Sequence, residues 1–198
     1  MKKMTDERMA YLVGRVADAG DQLAFKELFT LFFERLLTYA SAITKDQQVS
    51  QEHVEDVFVR LWVNRSMLRS VNNLSFYLYT SVKNASINYL NRNKQARFSL
   101  KASINEEQYR TEYSPENIFV EKELFKSLDY AIESLPPKCR LVFRLVKEER
   151  MSYKQIAALL DISLKTIENH MNVAIKKILK TISVHTYHHC KEPQAKKG

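Results

Sequence analysis

The chain has 198 residues and a net charge of +8; 45% of its residues are hydrophobic, 11% aromatic and 27% charged. That apolar and aromatic content excludes a long disordered chain, and the length allows one domain or two small ones. Only three glycines, Gly14, Gly20 and Gly198, are present, which excludes phosphate-cradling glycine loops and, with four prolines, argues against an all-β fold rich in tight turns.

An all-α chain is therefore expected. The charge is uneven: net +2 over residues 1–92, zero over 93–119 and +6 over 120–198. A basic last third points to a polyanion partner, most often nucleic acid, against the plainer alternative of a solvated basic surface. Two cysteines, Cys139 and Cys190, are too few for a disulfide scaffold and lack metal-site spacing, so a reducing, cytoplasmic setting is expected. The charged start, Met1 to Arg8, is not followed by the apolar core of a signal peptide. No apolar run approaches membrane-spanning length, so no membrane insertion is expected.

Asp21 to Ile43 reads as a helix, with Phe25, Leu28, Phe29, Phe32, Leu36, Tyr39 and Ile43 at three- and four-residue spacing and Asp21 as N-cap. A second helix starts near Ser50 and runs to about Asn64, with Val54, Val57, Phe58, Leu61 and Trp62 as its apolar face. The third covers roughly Leu74 to Asn91. Leu78, Val82, Ala85 and Tyr89 share one stripe, and Tyr77, Ser81, Asn84, Asn88 and Asn91 fall on the next, about 100° away. An amide-rich stripe is an odd choice for mere solvation, because Lys and Glu form helices more readily.

Periodicity fades between about Asn93 and Asn117, which reads as a linker too long to sit inside one compact domain. The helical pattern resumes with Phe119, Leu124, Leu128, Ile132 and Leu135; Pro136-Pro137 ends that helix and opens one carrying Leu141, Val142, Leu145 and Val146. Ser152 and Gln155 have the spacing of a capping box before Ile156, Ala157, Leu159 and Leu160. Asp161 can take the left-handed backbone of a tight turn, and Ser163 caps a helix running to about Leu179.

Ser152 to Leu179 thus has the layout of a helix-turn-helix. On its second helix Leu164, Ile167, Met171, Ala174, Ile175 and Ile178 are expected to face inward. Lys165, Thr166, Asn169, Asn172, Val173, Lys176 and Lys180 share the outward face, with Glu168 and His170 on its flanks. That outward set suits a DNA major groove: amides pair with adenine edges, lysines reach phosphate or guanine, and the methyls of Val173 or Thr166 meet a thymine methyl.

Other candidates carry less. His185, His188, His189 and Cys190 cluster in the tail, where a rigid metal site is not expected. Cys139 reads as a passive, partly buried cysteine. No nucleophile–base order or paired carboxylates point to catalysis, so no enzyme, metal or cofactor is expected.

Three stretches carry a resemblance. The segment LPPKCRLVFRLVKEERMSYKQIAALLDISLKTIENHMNVAIKKILK, Leu135 to Lys180, resembles region 4 of extracytoplasmic function (ECF) sigma factors of bacterial RNA polymerase. HVEDVFVRLWVNR, His53 to Arg65, resembles region 2.2, and LSFYLYTSVKNASINYLNRNK, Leu74 to Lys94, resembles regions 2.3 and 2.4. The resemblance implies a sigma factor with two small helical domains joined by a flexible linker: region 2 at 1–94, linker at 95–118, region 4 at 119–184 and a flexible tail at 185–198. It implies that Glu55, Asp56, Phe58, Arg60, Leu61 and Trp62 dock on the β′ subunit of core polymerase, with region 4 touching the β subunit. It places Tyr77, Asn84, Asn88, Arg92 and Lys94 on the −10 element, beside a loop from Met67 to Asn73 that shapes a base pocket. It places Ser163, Lys165, Thr166, Glu168, Asn169, His170, Asn172, Val173 and Lys176 on the −35 element. For Tyr89, core packing is the expectation. Family habit adds an anti-sigma partner. The family often has Asp where this chain has Asn88, and Gln where it has Glu55. Two rival readings stay open: a stand-alone helix-turn-helix regulator, which KTIENHM also resembles, and a pure interaction protein, which has no need of the Asn84 and Asn88 face.

Overall fold

The computed structural model describes residues 6–98 and 128–189, with side chains described over 6–93 and 128–181. The chain divides into two compact units, each built of helices, and no strand occurs among the described residues.

The first unit contains α1 (Asp6–Ala19), α2 (Gln22–Thr44), α3 (Gln47–Val63), a short 3₁₀ helix (Arg65–Ser70) and α4 (Leu74–Phe98). Asp21 caps α2, its side chain accepting from the backbone N–H groups of Leu23 and Ala24 at 2.9 and 3.1 Å. Those bonds, that of Ala24 foremost, and the guanidinium of Arg15 hold the Asp21 carboxyl below its ordinary range. Gly20, at φ +58°, supplies the left-handed residue that turns α1 into α2.

The start of α3 differs from expectation. Its N-cap is Asp46, whose side chain accepts from the Val49 N–H at 3.1 Å. Ser50 lies inside the helix, fully buried, with its hydroxyl 2.5 Å from the Asp46 carbonyl and 2.6 Å from Thr44 Oγ1. That serine fastens the α2–α3 corner and caps nothing. Helix α1 was not anticipated: its charged first turn and central Gly14 mask a face on which only Leu12, Val16 and Ala17 are buried. The core joins Leu12 and Val16 to Leu28, Phe32 and Leu36 of α2, Val54, Phe58 and Leu61 of α3, Leu68 of the 3₁₀ helix, and Leu78 and Val82 of α4.

The second unit shows the end of a helix at 128–133 (α5), then α6 (Pro137–Lys147), α7 (Tyr153–Leu160) and α8 (Leu164–His189). Pro137 opens α6 where its missing N–H costs nothing. Ala131, Leu135, Cys139, Ala174 and Ile178 form a core cluster that ties α5 and α6 to α8. Glu133 bridges Arg140, at 2.7 Å, and Arg144. The capping box is present, with Gln155 N–H to Ser152 Oγ at 3.2 Å and Ser152 N–H to Gln155 Oε1 at 2.9 Å. Asp161 takes the left-handed conformation at φ 55°, ψ 49°. α8 continues ten residues past Leu179, so 185–189, expected as the start of the tail, continue the helix. The side chains of His185, His188 and His189, together with Cys190, lie outside the described residues, as does the linker beyond Phe98.

Candidate nucleic-acid interface

A cleft of about 440 Å³ opens between α3 and α4. Its α4 wall is Tyr77, Ser81, Asn84 and Asn88, four of the five residues that the helical period put on one stripe, joined by Ala85, Tyr89 and Arg92; Asn91, the fifth, does not line it. Its α3 wall is His53, Asp56, Val57 and Arg60. Asn84, Asn88 and Arg92 are exposed, whereas Tyr77 and Ser81 are half-buried. Asn73 sets the start of α4 by accepting from the Phe76 N–H at 2.9 Å. The Tyr77 hydroxyl reaches Met67 Sδ at 3.9 Å, so the 3₁₀ segment and the cleft share a wall.

Tyr89, expected in the core, is half-buried and lines the cleft, with its ring edge-on to His53 at 5.5 Å. The period of α4 alone put Tyr89 on the apolar stripe; only the position of His53 on the facing helix brings it to the rim. Lys94 lies on α4, with its side chain outside the described residues. Amides, phenol rings and a guanidinium around one concavity are the groups that hydrogen-bond, stack on and neutralise an unpaired nucleotide.

The second surface is α8. Ser163 Oγ accepts from the Thr166 N–H at 3.1 Å and lies 2.8 Å from Thr166 Oγ1, which caps the helix and draws both hydroxyls into each other. Ile167, Met171, Ala174 and Ile178 are buried as expected. Leu164 and Ile175, expected inward, are 44% and 41% exposed. Helices α6 and α7 pack against α8, and Leu164 and Ile175 lie outside its stripe of four buried residues. Asn169, Asn172, Val173 and Lys176 all point to solvent. Glu168 pairs with Lys165 at 3.2 Å. His170 is half-buried, with Nδ1 3.4 Å from Cys139 Sγ, which turns it toward α6 and off the outward face.

The family model for Sigma-70 region 2 matches residues 28–96, and that for Sigma-70, region 4 matches residues 125–178. The chain belongs to the sigma-70 family. Among its relatives are the ECF RNA polymerase sigma factor SigW of Bacillus subtilis, 24% identical over 77% of this chain and 86% of that protein, and the ECF RNA polymerase sigma-E factor of Escherichia coli, 27% identical over 86% and 90%. The sigma factor RpoE, solved in complex with the anti-sigma factor NepR from Bartonella quintana, aligns with a TM-score of 0.48 at 18% identity, over 81% of this chain and 97% of that one. The cleft thus lies in sigma region 2 and α7–α8 in sigma region 4, and the chain is an ECF sigma factor acting with RNA polymerase in promoter-specific initiation.

Within region 2 the set expected to meet core polymerase divides. Phe58 and Leu61 are 2% and 0% exposed, so neither contacts a partner; both are core, with Phe58 against Phe25 and Phe29. Trp62 is half-buried, 4.9 Å from Phe25 and beneath the Arg65 guanidinium at 5.1 Å. Asp56 and Arg60, 3.7 Å apart, stand on the cleft side of α3 with the α4 amides. Glu55 is exposed and is joined by Gln51, whose amide donates to it at 2.8 Å. Two residues of that outer face went unnoticed in the sequence, Val59 and Val63, at 61% and 66% exposure. The signal was there: two valines one turn apart on a face otherwise carrying Glu52 and Glu55. No described helix is long and apolar enough to cross a membrane.

Proposed function

We propose that the two units divide the promoter between them. The region 2 cleft takes unpaired bases of the −10 element, with Asn84 and Asn88 on base edges, Tyr77 and Tyr89 as stacking surfaces, and Arg92 on the backbone. The exposed side of α3, through Glu55, Val59 and Val63 beside Trp62, docks on the β′ subunit of core polymerase. The outward face of α8 reads the −35 duplex. The observation that carries this reading is the meeting of an amide and aromatic stripe on α4 with a second, chemically different face on α3. Exposed Val59 and Val63 also offer an anti-sigma partner an apolar surface to cover. Phe58 and Leu61 act only by holding α3 in place.

The test is run-off transcription with purified core polymerase. Adding the chain yields a promoter-specific transcript from genomic template, and Asn84→Ala impairs strand opening with core binding intact. Duplex binding by the chain alone, with no promoter-specific transcript, establishes a stand-alone regulator instead. Loss of core binding in Asn84→Ala removes that residue from the DNA face.

A further inference from the structure

Nine residues were candidates for the −35 element, and the structure narrows them sharply. Ser163 and Thr166 are hydrogen-bonded to each other at the helix start. The Lys165 ammonium pairs with Glu168 at 3.2 Å on the exposed surface, which gives both a partner within the helix. The His170 imidazole is turned to Cys139. Asn169, Asn172, Val173 and Lys176 are exposed, and none of their side chains is held by another group among the described residues. On the helical period Asn169 and Lys176 lie within about 20° of each other, with Val173 and Asn172 about 40° and 60° to either side of Asn169.

An exposed isopropyl group on a face of amides and a lysine is the informative feature. Val173 is 47% exposed, so it is no part of the packing that holds α8. In a major groove the one apolar handle offered by a base edge is the thymine methyl, and the amide partner of choice is adenine through N6 and N7. One turn separates Asn169 from Val173, about 6 Å along the axis, against roughly 3.4 Å per base pair, so both reach the same two-pair step.

Resting on the reading of α8 as the −35 reader, we infer that this chain recognises its −35 element through an adenine–thymine step, with Asn169 or Asn172 on the adenine edge and Val173 on the thymine 5-methyl group. Lys176 holds the adjoining phosphate. Lys165, paired with Glu168 only across one exposed turn, is left to phosphate, and the His170 imidazole is turned toward Cys139.

The experiment uses the full chain assembled with core polymerase. Its −35 element is first selected from duplexes randomised upstream of a −10 element. Each thymine of the selected element is then replaced singly by deoxyuridine, which removes only the methyl group. For one thymine the wild-type holoenzyme loses about fourfold in affinity. The Val173→Ala holoenzyme shows no such loss at that position and binds the methylated and demethylated duplexes equally. Asn169→Ala or Asn172→Ala costs about 5- to 100-fold on the adenine-bearing element and relaxes selection there. Val173→Ala truncates an exposed side chain, so its fold is retained, and transcription from a −10-dependent template checks this. Deoxyuridine sensitivity identical in wild type and Val173→Ala overturns the assignment, as does a selected element with no thymine. Should no −35 preference emerge while promoter-specific transcription persists, the α8 readout fails and the sigma reading stands. Absence of any promoter-specific transcript overturns both.

Discussion

The cleft of region 2 and the outward face of α8, the two surfaces proposed to meet DNA, are built in different ways. The cleft is made jointly by two helices, α3 and α4, so each wall is in place only while the core beneath it is intact. The α8 face belongs to one helix, and its free side chains are spaced by the helical period alone. Chemistry follows the same division. The jointly built surface carries amides, phenols and Arg92 around a concavity suited to an extruded base. The single-helix surface carries groups that point straight outward into a groove. A surface made by packing is therefore vulnerable to core changes that a surface made by periodicity survives.

The largest expected effect follows from that contrast. Phe58→Ala removes a ring that is 2% exposed and packed on Phe25 and Phe29, at a cost of about 3–5 kcal/mol. Urea unfolding followed by far-UV circular dichroism measures it, and strand opening and polymerase binding fail together. Val59→Asp, one residue along, alters stability by no more than about 0.5 kcal/mol and still lowers polymerase affinity at least about tenfold. If Val59→Asp binds polymerase like wild type, the exposed face of α3 is not the docking face.

A pH titration sharpens the dependence of the cleft on its core. Tyr39 is buried against Tyr79 at 5.1 Å, and burial pushes its phenol up to about 12 from 10.0. The neutral form is thus favoured in the fold. Below the unfolded value its contribution is fully present; between about 10 and about 12 the unfolded chain loses this proton while the folded chain keeps it, so stability falls as pH rises. The loss is on the order of 2 kcal/mol across that window. Tyr39→Phe, which has no proton to lose, retains its stability between pH 10 and 12 more fully than wild type does in the same denaturant titration. Equal slopes for the two proteins remove Tyr39 from the alkaline transition.

The same contrast explains what the sequence revealed. Helical periodicity predicted α2, most of α4, the helix-turn-helix and the buried residues Ile167, Met171, Ala174 and Ile178, because each answers to spacing within one element. It missed α1, whose two fully buried residues, Leu12 and Val16, make too thin a stripe beside Gly14. It gave Tyr89 to the core, because the period of one helix does not say where a second helix lies; for the same reason it did not show that Asp56 and Arg60 line the cleft. Ser50 illustrates the same limit: a serine before an apolar run has the composition of a cap, and only the α2–α3 corner shows that its hydroxyl bonds Thr44 and Asp46. The division of the −35 set rested partly on a long-range pairing, His170 with Cys139, that no spacing rule encodes, whereas Lys165 with Glu168 is an i,i+3 pair that helical spacing offers.

The smallest expected effects test whether the α8 face is as self-contained as its geometry implies. Ser152 closes the capping box of α7, and Ser152→Ala removes the acceptor for the Gln155 N–H at a cost of about 1 kcal/mol. Asp161 sits at φ 55°, where a β-carbon is strained, so Asp161→Gly relieves strain while loosening the unfolded chain; the net gain is about 0.5 kcal/mol. Neither change touches Asn169, Asn172 or Val173, which take their places from α8 itself. Thermal unfolding should therefore separate the two variants from wild type in opposite directions, while holoenzyme affinity for the −35 duplex stays within about twofold in both. A −35 affinity that tracks these stability changes shows instead that α7 and its turn set the angle at which α8 meets the groove, making region 4 a jointly built surface like the cleft.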